Sequence, residues 1–420
     1  MLFRSFFSLF FWTFTCLVLS EDLSTLQSVQ IFFRHGQRYP STYVTFPTED
    51  PKLAEGKVRA EMTEIGIQQE FNLGQNLKET YGGFIGERYN SSELMVMTGF
   101  DNRTSVSALA ALAALLPPKD DQIFNSRLMW QPIPVHTDRN LDMVSFGTFD
   151  NCPALKKHVM AMPEYDRIDD KNTEMISYYE KYSGIKIPDV YVFQKVLDSV
   201  KTRKDMQDVL PLPSWANDAT FITHSEDVCA ELHTRFIDLI LDSTGAWHFN
   251  LIVENIKNRI HNNSKHKTYL FAAHDANFMT IAKYLNLSSD LQTKLTPYAS
   301  YLAIEHHNIG GKDVVKVFSH LTLNGTRQEL SLADCPSPCF YSKFSSLKYA
   351  MSSDQFNGVC RGFTDEAHRI CQDKVTMIAI LLLISIILFV GFIGALFACF
   401  WYRERVRQLS DPERRYLLSH

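Results

Sequence analysis

The sequence predicts an α/β protein in which a mainly parallel sheet is flanked by helices, with a mostly helical cap and one C-terminal transmembrane helix. Short β-rich apolar runs alternate with helical patterns before residue 120 and again over 267–285. Such alternation is typical of a parallel sheet covered on both faces. From about 150 to 245 the patterns become amphipathic and helical with few strand signals, and this change predicts the cap.

Local patterns predict the individual elements. The predicted strands are the runs "LQSVQIFFRH" and "ELMVMTGFDNRT" and the first part of "KTYLFAAHDANFMTIAKYL". Each is followed by apolar residues at helical spacing, and these helices are predicted over 62–82, over 105–116 before Pro117-Pro118, and to the end of 267–285. The run 300–320 is typical of a hairpin that turns at Gly310-Gly311.

Both ends of the chain predict targeting and membrane segments. Residues 1–20 have one early arginine, a long apolar stretch and a small last residue, which is the layout of a cleaved signal peptide; an uncleaved anchor is the alternative. The uncharged run 375–401 is long enough to span a bilayer core of about 30 Å. Five arginines in the tail, 402–420, favour a cytoplasmic tail and a type I membrane protein. The domain of 21–373 would then face a lumen or the cell exterior, at the cell surface, in endosomes or in lysosomes.

The composition of the predicted lumenal domain limits its partners. Acidic residues (47) slightly outnumber basic ones (42) in the chain, and the domain has no basic tract, so nucleic acid is not an expected partner. Five sequons fit a glycosylated surface. We expect glycans at Asn90, Asn262, Asn286 and Asn324, but not at Asn102, where a glycan would obstruct the arginine that follows.

Six cysteines lie in this domain, and an even set in an oxidising compartment indicates disulfides. Six cysteines allow fifteen pairings, so the sequence alone does not assign them. The motif "CPSPC" at 335–339 could close on itself through a short loop. Its Cys-x3-Cys spacing, without a second pair of ligands, argues against a zinc site.

Polar residues follow three of the predicted strands at the point where each strand ends. They are Arg34-His35-Gly36 with Arg38, then Asp101-Asn102-Arg103, and finally His274-Asp275. In open α/β sheets, ligands bind beyond the carboxyl ends of the strands. We therefore expect three arginines, two histidines and an aspartate to meet in one crevice.

These residue types suit phosphoryl transfer. Arginine forks bind phosphate oxygens with paired hydrogen bonds, and they stabilise the charge on the transferred group. They also lower the pKa of a nearby histidine, which would keep His35 neutral and nucleophilic. Asp275 is the carboxyl group available to protonate the leaving alcohol, a role that favours acid pH.

Other interpretations of the same residues are simpler. The Arg-His-Gly segment could be a solvated strand end, Asp101 to Arg103 could form a turn, and Asp275 could cap a helix. A metal site built from His35, His274 and Asp275 competes weakly, because the adjacent arginines would repel a cation. We expect no metal and no cofactor.

The motifs resemble those of the histidine acid phosphatase family, in particular its membrane-anchored members of lysosomal or prostatic type. "RHGQRYP" resembles the family's Arg-His-Gly-x-Arg-x-Pro signature, and "AAHDANF" resembles its His-Asp motif. "MTEIGIQQEFNLGQNLKETY", "TGFDNRTSVSA", "WQPIPVHT" and "LPSW" are similar to further family segments, in the expected order over about 28–362.

The resemblance implies roles for individual residues. His35 would be the nucleophile that forms a phosphohistidine, and Asp275 would be the proton donor. Arg34, Arg38, Arg103 and His274 would bind the phosphate. It also implies an α/β domain with a helical cap, no metal, and the disulfides Cys335–Cys339 and Cys152–Cys360, leaving Cys229 and Cys371 unassigned.

The chain departs from the family pattern at three positions. Gln37 stands where Asp is common, Tyr39 where Thr or Ser is frequent, and Asn277 where Thr usually follows His-Asp. These residues adjoin the predicted site, so they leave the substrate open.

The sequence therefore predicts an acid phosphatase acting on small phosphate monoesters. Specialisation for inositol or lysophospholipid phosphates is the alternative within the enzyme class. A catalytically silent membrane receptor or adhesion ectodomain on the same fold is the alternative outside it. The oligomeric state is open, with a homodimer as the one assembly considered.

Overall fold

The computed structural model describes residues 23–46, 49–144, 151–166, 172–287, 290–322, 325–362 and 365–410, with the backbone alone for 365–375 and 409–410. The predicted signal peptide, the sequon at Asn324 and the side chain of Cys371 lie outside these described parts. The chain divides into two compact units, Met1–Phe356 and Asn357–His420.

The first unit is built on one mixed sheet. Its strands are β1 (Leu26–Arg34), β2 (Leu94–Thr98), β3 (His136–Thr137), β4 (Thr268–Ala273), β5 (Tyr301–Ile309), β6 (Lys312–His320), β7 (Gln328–Leu330) and β8 (Cys339–Phe340). Their order is β3-β2-β4-β1-β5-β6-β7, with β8 also paired to β6. β1 to β4 are parallel to one another, whereas β5 to β8 add antiparallel pairs. The predicted α/β fold is confirmed, and the mainly parallel character holds for the half of the sheet that contains β1 to β4.

The described residues of the two units also contain helices. They are α1 (Glu64–Ile85), α2 (Asn102–Leu115), α3 (Pro153–Met160), α4 (Thr173–Ser183), α5 (Val190–Lys204), α6 (Ala219–Ile260), α7 (Asp275–Tyr284), α8 (Tyr341–Phe344), α9 (Ser353–Arg361) and α10 (Asp365–Ser410). The described part of 151–260 contains only helices among its regular elements, as the cap prediction requires. α6 continues through residue 245, the predicted end of the cap, and returns the chain to β4.

The core lies against both faces of β1. All but one of its nine residues are buried, because parallel neighbours in the middle of a sheet face packed layers on both sides. One face joins a cluster with apolar residues of α1 and α2, such as Leu73 and Leu112. On β1 and β4, Phe32 and Phe271 stack with their ring centroids 4.4 Å apart.

The predicted hairpin is present as β5 and β6. Gly310 and Gly311, at its turn, have φ of 58° and 80°. Left-handed φ values at both central residues are those of a type I′ turn, which glycine adopts without steric cost.

The second unit contains α10. Within it, Thr376–Gln408 is long and apolar enough to cross a membrane, by length and composition. The side chains of this segment are exposed. The predicted span of 375–401 lies inside α10, which continues beyond both of its limits.

The structure shows which of the described cysteines are bonded and which of the predicted sequons are exposed. Cys335 and Cys339 form a disulfide. Cys152 and Cys360 are also disulfide-bonded, whereas Cys229 is a free, buried thiol. The sequon side chains of Asn90, Asn262 and Asn286 are exposed.

Candidate active site

Three neighbouring strands end at the same level of the sheet. The register pairs Arg34 of β1 with Ala273 of β4, and Thr98 of β2 with Ala272. Because the three strands are parallel neighbours, the residues that follow them meet at one edge.

All six residues predicted for the site line one cavity of about 360 Å³ at this edge. Arg34, His35 and Arg38 come from the end of β1, and Arg103 lies in the first turn of α2. His274 is the N-cap of α7, and Asp275 is its first residue. The opposite wall comes from α5 and α6, including Tyr191, Gln194, Lys195, Asp198, Lys201, Cys229 and His233.

A close backbone approach fixes the loop after β1. A Cβ atom on Gly36 would lie 2.2 Å from the carbonyl oxygen of Gly66 in α1, so no side chain fits there. The side chain of Thr63 caps α1 by accepting from the Gly66 amide, and its hydroxyl donates to the side chain of Gln37 at 2.7 Å. The loop that carries His35 is therefore held by the start of α1.

His35 is buried, and a hydrogen bond fixes which of its two ring nitrogens carries the proton. Its Nδ1 lies 2.8 Å from the carbonyl oxygen of Gly36, which can only accept, so Nδ1 carries the proton. The other ring nitrogen, Nε2, then has a free lone pair. Burial lowers the pKa of His35 well below its usual value, and the charges of Arg103, Arg34, His274 and Arg38 lower it further.

Each of the three arginines has a carboxylate partner. Arg34 pairs with Asp275 at 2.9 Å, Arg38 forms a two-pronged pair with Asp198 of α5, and Arg103 pairs with Asp101. Within the described residues, the buried Nε atom of each arginine has no hydrogen-bond partner. The pocket thus holds three buried guanidinium groups whose hydrogen-bond donors are only partly satisfied. An anionic ligand could accept from such donors, so the pocket favours an anion.

The pair between Arg38 and Asp198 joins the body to the cap. Burial opposes both charges, but Arg38 holds the pKa of Asp198 at about 2, and the backbone amide of Ser41 also donates to it. Asp198 in turn raises the pKa of Arg38 despite the opposing effect of burial. Both groups are therefore charged near pH 5.

Asp275 is held as a carboxylate. Burial acts to raise its pKa, but Arg34, then Lys201 and His233, more than offset this, and the pKa lies well below its usual range. Lys201 Nζ is 3.9 Å from its Oδ2. Asp275 lines the pocket, and its surroundings would have to change before it could hold a proton.

His274 is fixed on three sides. Its Nε2 lies 2.8 Å from Oδ1 of Asp142, and its Nδ1 lies 3.5 Å from Nη2 of Arg103. Its backbone amide donates to Oδ1 of Asn277 at 2.9 Å. Asn277 also donates from Nδ2 to the carbonyl of Leu141 and to Nε2 of His248.

One group near the site has donor atoms that could hold a metal ion. Among the described residues, Asp101, Asp142 and His274 each place one ligand atom within 4.8 Å of the others. The guanidinium of Arg103 already pairs with Asp101, and His274 donates to Asp142. The ligand atoms of Asp101 and Asp142 are therefore already occupied, the first by the Arg103 guanidinium and the second by a hydrogen of His274.

The structure also places residues in the site that the sequence did not indicate. Asp142 and Asp198 contact site residues across 132 and 160 positions of chain, and both come from segments with no recognised motif. Gln37 and Asn277 were noted only as departures from the family pattern. Neither lines the cavity. Their side chains instead donate hydrogen bonds to backbone carbonyls of neighbouring segments.

Comparison with known proteins defines the class. The family described as histidine phosphatase superfamily (branch 2) matches residues 25–320, and the chain belongs to this family. The resemblance predicted from the motifs is confirmed.

Curated relatives and solved structures agree with this class. The chain is 27% identical to human prostatic acid phosphatase over 88% of its own length and 95% of that protein. It is 26% identical to rat lysosomal acid phosphatase, with 84% of both chains covered. The solved phytase of Citrobacter braakii shares the fold, with a TM-score of 0.54 at 16% identity, covering 80% of this chain and 98% of that one.

Proposed function

We propose that this protein is a metal-independent acid phosphatase that hydrolyses small phosphate monoesters through a phosphohistidine on His35. The observation that carries the proposal is the state of His35. Its Nδ1 hydrogen is committed to Gly36, and its Nε2 lone pair is available among three arginines. A neutral imidazole in a phosphate-binding pocket is the nucleophile that this chemistry needs.

In the first step, Nε2 of His35 attacks phosphorus and the bond to the leaving oxygen breaks. Arg34, Arg38, Arg103 and His274 bind the phosphate oxygens and stabilise the charge that they carry in the transition state. The Gly36 carbonyl stabilises the positive charge that develops on the phosphorylated ring. A water molecule then attacks the phosphohistidine, which releases phosphate and returns neutral His35.

Asp275 transfers the proton. At acid pH a phosphate monoester is a monoanion, because its second pKa is about 6, and so it brings one proton into the site. Its oxygens compete with Asp275 for Arg34, which removes the main cause of the low pKa of Asp275. Asp275 then passes the proton to the leaving alcohol, and it takes one back from the attacking water.

The nature of the leaving group is the open part of the proposal. The cavity wall formed by α5 contributes two lysines, Lys195 and Lys201, and the second already faces Asp275. An inositol polyphosphate would need a cap lined by many more lysines or arginines than these two, so we favour small monoesters over inositol phosphates. A silent receptor or adhesion ectodomain is less consistent with a complete set of phosphate-binding and transfer groups.

The membrane arrangement is part of the same proposal. Residues 1–20 would be removed as a signal peptide, 21–373 would lie in the lumen or outside the cell, and 402–420 would be cytoplasmic. The disulfides support an oxidising compartment, and the described residues contain one helix long and apolar enough to span a membrane, which supports a single-pass protein. A homodimer is compatible with this arrangement but is not required by it.

Turnover by the full-length protein in detergent tests the proposal. We expect hydrolysis of an aryl phosphate near pH 5 in the presence of EDTA, and a loss of at least about 10³-fold in His35→Ala. His136→Ala, which removes an exposed histidine in β3, is the matched control and should keep wild-type activity. Absence of turnover by the wild type across acid pH would contradict the proposed phosphatase activity. Inhibition by EDTA would contradict the metal-independent mechanism.

A further inference from the structure

The strongest group of contacts that the motifs do not explain surrounds His274. We propose that Asp142 is a positioning residue for phosphate binding, which orients His274 and provides the counter-charge for its doubly protonated form. This inference rests on the proposed function, because it concerns how the same pocket holds phosphate.

The orientation of His274 follows from its two ring contacts. Asp142 accepts a hydrogen bond from Nε2, so this nitrogen points away from the phosphate-binding arginines and cannot bind a phosphate oxygen. The remaining nitrogen, Nδ1, faces the guanidinium of Arg103. For His274 to donate to phosphate, Nδ1 must gain a hydrogen while Nε2 keeps its own, and the ring then carries a positive charge.

The charges around His274 favour this form when phosphate is present. Asp142 lies on one side of the ring at 2.8 Å, and Asp101 lies 3.7 Å from Nε2. The guanidinium of Arg103, whose Nη2 lies 3.5 Å from Nδ1, opposes a positive charge on the ring. A phosphate dianion bound by Arg103 would remove that opposition, and the Asp142 carboxylate would remain as the buried counter-charge.

Backbone contacts fix the position of Asp142. Its Oδ2 accepts from the amide of Phe100 at 2.6 Å, and its Oδ1 lies where a Cβ atom on Gly99 would be only 1.9 Å away. Glycine at position 99 thus leaves room for the carboxylate beside the end of β2. Asp142 itself is 2% exposed.

Asn277 braces the same arrangement from α7. Its amide nitrogen donates to the carbonyl of Leu141, next to Asp142, at 2.8 Å, and its oxygen accepts from the His274 amide. The second hydrogen goes to Nε2 of His248 at 2.9 Å, whose Nδ1 is bound by the Thr244 carbonyl. Burial lowers the pKa of His248 to about 4, so it remains an acceptor near pH 5. Threonine at position 277 has one donor and could not make both contacts.

Binding of inorganic phosphate to the full-length protein in detergent, measured by calorimetry from pH 4 to 8, tests the inference. Asp142→Asn keeps the size of the side chain but removes its charge. We expect phosphate affinity to fall about 10- to 100-fold, as for the loss of one charged hydrogen bond. The alkaline limit of binding should also move to lower pH, because a neutral amide no longer favours a proton on Nδ1.

Asp138→Asn is the matched control. Asp138 lies in the same loop and accepts from the Asn140 amide, a contact that asparagine can keep. Its affinity and pH profile should equal those of the wild type. Wild-type phosphate binding in folded Asp142→Asn, or equal losses in both variants, would overturn the inference.

A second variant decides the matter if Asp142→Asn does not fold. Asn277→Thr keeps the carboxylate but removes the link to Leu141, so a smaller loss with the same shift in pH supports the inference. A wild-type profile in this variant overturns it. Phosphate binding does not require turnover, and failure of the proposed function would show separately as absence of hydrolysis by the wild type.

Discussion

His35 lies in surroundings that disfavour a positive charge on its ring. Burial has the largest effect on its pKa, and three guanidinium groups act in the same direction. A solvent-exposed histidine, whose usual pKa is about 6.5, would be mostly protonated near pH 5. The site therefore keeps the proposed nucleophile neutral at a pH where a phosphate monoester would arrive as a monoanion that carries its own proton.

The role of Asp275 predicts a dependence on the leaving group. Asp275→Asn removes the group that would transfer the proton but keeps its size beside Arg34. We expect kcat to fall about 10²- to 10⁴-fold for an alkyl phosphate, whose leaving group needs protonation. The loss should be much smaller for a nitrophenyl phosphate, whose leaving group is stable as an anion. Equal losses on the two substrates, measured at pH 5, would exclude proton donation by Asp275.

At the residue scale, the motifs located the groups expected to react but not those that hold them. Arg34, His35 and Arg38 stand in one short segment, so their neighbourhood was evident before any fold was known. Asp142 and Asp198 are carboxylates in segments that carry no other signal. Only the folded chain brings them to His274 and Arg38, because the contacts depend on how the cap and the loop after β3 pack.

At the scale of elements, the parallel alternation of β1, β2 and β4 with their helices was predictable from apolar periodicity. The antiparallel extension through β7 and β8 was not. Those strands have three and two residues, which is too short for an alternating pattern to emerge. The site was nevertheless predictable, because it depends on the ends of the three parallel strands.

Gln37 joins the loop after β1 to two helices. Its side-chain amide donates to the carbonyl of Asp205 at the end of α5, and its side-chain oxygen accepts from Thr63 at the start of α1. A carboxylate could keep the second contact but not the first. The departure from the usual aspartate therefore concerns the attachment of the cap to the body.

Replacement of Gln37 tests this attachment. Gln37→Glu should lower the free energy of unfolding by about 1 kcal/mol, because the Asp205 carbonyl loses its donor. Gln69→Glu is the control: the side chain at position 69 accepts from the Gln37 amide, which a carboxylate can also do. Thermal unfolding of both full-length variants measures the difference. Equal stability of Gln37→Glu and the wild type would show that this contact does not stabilise the fold.

At the scale of the whole molecule, the chain combines an α/β phosphatase unit with a second unit that contains a long apolar helix. Length and composition identify this helix as a candidate span, and the arginines that follow it predict the orientation. The Cys335–Cys339 disulfide in the first unit fits an oxidising compartment.

Protease protection tests the orientation. In intact microsomes from cells expressing the full-length protein with an epitope tag after His420, added protease should remove the tag and leave the phosphatase unit intact. Detergent should then expose the remainder to the protease. A tag that stays protected in intact microsomes would contradict the proposed orientation.

The central claim is that His35 carries the phosphoryl group during turnover. The most direct measurement is to mix the full-length protein with a radiolabelled aryl phosphate at pH 5, stop the reaction at alkaline pH, and map the labelled peptide. Alkaline quenching preserves phosphohistidine, which is labile in acid. The account predicts a label on the peptide that contains His35, absent in His35→Ala and retained in His136→Ala. A protein that turns over substrate but carries no label, or carries it on another residue, would contradict the account.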